Sequence, residues 1–331
     1  MCRILGFRGH VWHGQKVPIL PNTFWLVLIL LGLARRQGRM LCHYSCESEA
    51  DAAAGAPALL ALHGGLGWDH RALRPWLDPL GERACLTYLD LLGCGASPGP
   101  DDWTRVTHAT WAEGVEETRR RLDAERGLHD RVVLFGHSYG AVIAMEAALR
   151  YPERVSGLIL CAAPTAAEHV PAALERVLAH AAAVGPDVER AFRGLLATPP
   201  ETDDAFADAM RSAIAVYVRD PGAHDLAGLV DRVRFRAAPA RRSFYELFGS
   251  YDVRPRLAEI AAPTLVLSGR HDWLAPPDEA PAEMLDRLPE AEGHVFEQSG
   301  HLPFLEENGA FLSVVGDWLN RRASAATRPA G

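Results

Sequence analysis

Ser138, Asp272 and His301 are of the residue types, and in the chain order, that nucleophilic hydrolysis needs. A serine hydroxyl attacks a carbonyl only when a base takes its proton, and that base needs an acid to fix its tautomer and orientation. Ser138 lies in Gly136-His137-Ser138-Tyr139-Gly140. Small residues two before and two after the serine allow a strained strand-to-helix turn that exposes its hydroxyl at a helix N-terminus, where the dipole favours negative charge. Asp272 follows an apolar run over 263–268, and His301, in Ser299-Gly300-His301, follows a short one over 294–297. His271 adjoins the acid and His137 the nucleophile; neither is assigned a catalytic role, and the His137 ring is expected to turn into the packing of the elbow. An oxyanion needs two amide donors. Tyr139 supplies one and Gly65, in His63-Gly64-Gly65-Leu66-Gly67, the other, with Leu66 as the nearest alternative.

These residues must be carried by elements whose ends meet. Strand-like runs over 58–63, 84–90, 131–136, 156–162, 263–268 and 294–297, separated by helical stretches, predict an α/β fold with a mostly parallel sheet covered by helices on both faces. Loops at the C-terminal edge of such a sheet gather catalytic groups. No strand signal occurs between 164 and 258; Ala172 to Val184, Val188 to Ala197, Asp203 to Val218 and Arg241 to Phe248 have helical periodicity instead. That interval is expected to be a helical lid over a core of residues 41–163 and 259–323, with 324–331 a disordered tail.

The combination of His63-Gly64-Gly65, the turn from Asp90 to Ser97, Gly136-His137-Ser138-Tyr139-Gly140, Asp272 and Ser299-Gly300-His301 resembles the α/β-hydrolase superfamily from about residue 41 to 323. The stretch from His63 to His70 is most similar to the proline iminopeptidase-like branch, where His-Gly-Gly-Pro-Gly is usual. Leu66 stands in place of that proline. Trp273 follows the acid where some aminopeptidases of the branch carry a glutamate that helps hold the substrate amine. The resemblance implies an acyl-enzyme hydrolase with a Ser138-His301-Asp272 triad and no cofactor or metal. Its substrate would be a small ester, amide or short peptide. The alternatives are an aminopeptidase or amidase releasing N-terminal proline or a similar residue and, from another class, a ligand sensor with slow turnover. Trp68 and Trp273 are expected to line the acyl site. Glu246, with Glu201, Asp203, Asp204 and Asp208, is the candidate partner for a substrate amine.

A formal charge of −8 argues against nucleic acid as a partner. Lys16, the only lysine, lies in a 40-residue N-terminal stretch that contains no carboxylate, and this stretch is read as a misassigned start, a signal or anchor, or a disordered extension. Membrane contact would come only from the apolar 17–34 segment. Six cysteines without a dense framework favour a reducing cytoplasm. Nothing in the sequence fixes the oligomeric state.

Overall fold

Along the central strands, successive side chains feed two different apolar layers. Leu60, Leu62, Leu134, Leu158, Leu160 and Val266 belong to one cluster, while Leu59, Ala61, Val133, Phe135, Ile159, Leu265 and Leu267 belong to the other. A period of two with both faces apolar is the mark of a sheet buried on both sides. The protein, a computed structural model, is described over residues 42–46, 56–126 and 130–326. The expectations for the first 40 residues lie outside these. Among the described residues, no helix is long and apolar enough to cross a membrane.

The strands are β1 His43–Cys46, β2 Ala58–Leu62, β3 Cys85–Asp90, β4 Val132–His137, β5 Val155–Cys161, β6 Thr264–Gly269 and β7 Ala291–Phe296. They are ordered β1-β3-β2-β4-β5-β6-β7, all parallel except β1, which pairs antiparallel with β3. Helix α1, His108–Arg126, and helix α2, Tyr139–Arg150, contribute Trp111, Val115, Val142 and Ile143 to the first layer. The C-terminal helix Asn308–Ala326 contributes Phe311, Val315 and Trp318 to the second. That helix runs past the expected end of the fold at 323, and 327–331 lie outside the described residues.

The interval between β5 and β6 is helical, as its periodicity implies, with three differences. The segment read as one helix from Asp203 to Val218 is α-helical only over Asp203–Ala213; Ile214–Tyr217 tightens to a 3-10 turn, which frees the Tyr217 carbonyl for a partner outside the helix. Arg241–Leu247 is a π-helix, in which the Phe248 N–H reaches back to the Ser243 carbonyl. A further helix, Leu226–Arg232, lies between them.

Candidate active site

Ser138 sits at the junction of β4 and α2 with φ 52° and ψ −120°, a conformation that a non-glycine residue holds only when its surroundings impose it. They do so by contact. A Cβ on Gly136 would lie 2.5 Å from Ala141 Cα, and one on Gly140 would lie 2.5 Å from the carbonyl oxygens of Leu62 and His63. The second contact presses the start of α2 onto the end of β2 and brings the glycine loop to the serine: a Cβ on Gly64 would be 3.1 Å from Ser138 Cβ. Tyr139 opens α2, so its N–H has no partner within the helix. Gly65 and Tyr139 line the same cavity as Ser138, whereas Leu66 is fully buried away from it.

The loops that carry Asp272 and His301 are bound to each other. The His271 N–H donates to the Ser299 carbonyl (2.9 Å), and a Cβ on Gly269 would fall 2.0 Å from the Gly300 oxygen. His301 Nδ1 lies 2.9 and 3.0 Å from the two Asp272 carboxylate oxygens, both side chains being buried. A proton on Nδ1 is therefore held by the carboxylate and leaves Nε2 as the basic nitrogen. The Leu274 N–H donates to Asp272 Oδ1 (2.9 Å), fixing the acid in turn. Ser138 and His301 line the same cavity, and Asp272 is bonded to His301, so the three side chains meet at one edge of the sheet.

His137 does more than pack. Its Nε2 is 2.9 Å from the His301 carbonyl oxygen and its ring centroid is 5.0 Å from that of His301. Burial, with His301 nearby, pushes its pKa well below the usual value and keeps it neutral. Trp273 stacks on His301 at 5.9 Å and Tyr217 lies 5.7 Å from it, while Trp68 is 5.9 Å from Tyr217. The two tryptophans thus border the site. Tyr217, Phe192, Phe206, Phe244 and Phe304 also line the cavity, and in the sequence they carry no signal beyond an apolar position in a helical segment or beside the histidine.

The cavity has a volume of about 280 Å³, and among the described residues none of its lining residues is Asp, Glu, Lys or Arg. Glu246 is a correction: it is half exposed, outside the lining, and paired with Arg242 at 2.7 Å. In a π-helix the faces turn by a different register from the α-helix assumed, and the carboxylate points to the guanidinium four residues back. Asp203 likewise bonds Arg236 and the Ala237 N–H (2.8 Å each), Asp208 bonds Arg211, and Glu201 and Asp204 are exposed.

Asp69, His70 and Asp90 bring ligand-type atoms within 4.8 Å of one another. Their oxygens are already engaged. Asp90 accepts from His70 Nδ1 (2.7 Å) and from the N–H groups of His70 and Ala96; Asp69 accepts from Arg71 and from the Arg234 N–H (3.1 Å). The cluster braces the glycine loop and the turn after β3 against the helical insert.

The family described as alpha/beta hydrolase fold matches residues 57–308. A proline iminopeptidase of Lactobacillus delbrueckii subsp. bulgaricus is 30% identical over 83% of this chain and 93% of its own. One from Clostridioides difficile is 28% identical over 80% and 90%. Among solved structures, VinJ superposes with a TM-score of 0.66 at 25% identity over 84% of this chain and 94% of its own. An esterase from Thermogutta terrifontis superposes with a TM-score of 0.62 at 22% identity over 85% and 94%.

Proposed function

Because the chain belongs to the α/β-hydrolase fold family, in its proline iminopeptidase-like branch, we propose that it is a serine hydrolase acting through Ser138, His301 and Asp272 on esters with neutral, apolar acyl groups. Ser138 Oγ attacks the carbonyl carbon while His301 Nε2 takes its proton. The amides of Gly65 and Tyr139 donate to the oxyanion, and His301 returns the proton to the leaving oxygen. Water, activated by the same nitrogen, then releases the acid and regenerates the serine. The helical insert over 164–258 acts as the lid that shapes the acyl site.

The observation that carries the substrate class is the uncharged, largely aromatic and aliphatic lining of the cavity. An ammonium entering it would shed hydration with no carboxylate to replace it, a large cost, whereas a neutral acyl group gains by burial. The names of the curated relatives favour a second reading, release of N-terminal proline. Free thiols at Cys42, Cys85, Cys94 and Cys161 support a cytoplasmic setting. The test compares kcat/KM for butyryl against prolyl within each leaving group, first as p-nitrophenyl esters and then as naphthylamides. Preference for butyryl over prolyl ester, unchanged in Glu246→Gln, supports the proposal; preference for prolyl in both ester and amide supports the second reading.

A further inference from the structure

Segment 217–219 of the helical insert lies directly across the loop that carries His301. A Cβ on Gly300 would be 3.1 Å from both the Tyr217 oxygen and the Arg219 nitrogen, tighter than ordinary contact, so the two backbones approach closely here. The His301 N–H donates to the Tyr217 carbonyl (2.8 Å). One carboxylate completes the junction: Glu306 Oε1 accepts the Arg219 N–H (2.6 Å) and Oε2 accepts the Gly300 N–H (2.8 Å). Neighbouring Glu307 holds the same loop from the other side, accepting from the Gln298 N–H and the Ser299 hydroxyl.

We propose that Glu306 is a positioning residue that ties the insert to the base loop, seating Tyr217 over the acyl cavity when it is ionised and loosening it when it is protonated. An ionised carboxylate accepts at both oxygens, but a protonated one turns one oxygen into a donor, and one of the two amides loses a good acceptor. Tyr217 then loses part of what holds its ring between Trp68, Trp273 and His301. The charged and titratable groups around Glu306 are Asp272 and His301 on the adjoining loops, Glu307 next in the chain, and Arg219, whose guanidinium is bonded to Gln298. Burial, reinforced by the Asp272 charge and opposed by the backbone N–H groups, raises the Glu306 pKa to about 7. The switch therefore falls in the neutral range.

The inference rests on His301 being the base, and its test separates the two ideas. Initial rates with a butyryl ester are measured from pH 6 to 8 for the wild type and Glu306→Gln. Gln offers one acceptor and one donor at every pH, so it should hold KM roughly tenfold above the wild-type pH 8 value, the loss of about one charge-assisted hydrogen bond, with no pH dependence. The wild-type KM should climb toward that value as pH falls to 6, and the difference in KM between wild type and variant should close over the same range. A flat wild-type KM, or a variant KM that still follows pH as the wild type does, overturns the role of Glu306. Full activity in His301→Ala would instead overturn the base assignment. If Glu306→Gln does not fold, hydrogen exchange in wild-type residues 214–221, corrected for the intrinsic pH dependence, decides: faster exchange at pH 6 than at pH 8 supports the tether, and equal protection rejects it.

Discussion

Gly140 and His63 meet backbone to backbone: a Cβ on Gly140 would lie 2.5 Å from the His63 carbonyl oxygen. The turn that carries Ser138 and the glycine loop after β2 are thereby set by one contact between α2 and the end of β2. Replacing Gly140 with alanine should cost about 3 kcal/mol or more, the upper range for overpacking, since neither neighbour is a side chain that can move aside. Gly249→Ala, where a Cβ would meet nothing within 4 Å, should stay within about 0.5 kcal/mol. Urea unfolding of the two variants checks the contrast.

Asp272→Asn keeps an oxygen able to accept the Leu274 N–H but can no longer hold a proton on His301 Nδ1 as a carboxylate does. Its kcat should fall about 10⁴-fold, as in other triads, with the melting temperature little changed. Stopped-flow or steady-state rates with a p-nitrophenyl ester measure it; near-normal kcat would point to another acid.

Acyl length should be read out by the cavity. A cavity of about 280 Å³ takes up an acyl chain only to the length that fills it. Across linear acyl esters, kcat/KM should rise about fourfold per methylene, the ~0.8 kcal/mol of its burial, and level off beyond that length. Leu174→Trp, which fills the lining, should move the plateau to shorter chains. A length-independent kcat/KM would remove the cavity from substrate binding.

His108 links pH to stability. Its Nε2 is 2.7 Å from the Tyr139 hydroxyl, and burial, with the Arg242 charge, lowers its pKa from the usual 6.5 to about 4. Between these values the unfolded chain binds more protons than the folded one, so this contribution is present above about pH 6.5 and is lost as pH falls through 4. The melting temperature of the wild type should therefore drop more between pH 7 and 4.5 than that of His108→Gln. Parallel curves would show that the imidazole does not couple to folding.

Where a signal is local and apolar, the sequence carries it: the run into Ser138 is buried from Val132 to His137 and opens a helix directly after the serine. β1 carries no such signal, because four mixed residues, His43 to Cys46, have no period, and β7 begins before its apolar end because its residues ahead of Phe296 are largely exposed. The Tyr217 carbonyl and Glu306 act through backbone partners distant in sequence, and the residue types alone do not indicate such pairings. Glu246 shows the opposite failure: a carboxylate in the right segment, facing Arg242 rather than the cavity.

The central claim is that Ser138 is the nucleophile, and the most direct measurement is mass spectrometry of the protein after reaction with a fluorophosphonate and, separately, with a slowly deacylating ester. The account predicts a single adduct on the peptide containing Ser138, formed far more slowly in His301→Ala and absent in Ser138→Ala. An adduct elsewhere, or one that persists in Ser138→Ala together with ester turnover, would contradict it.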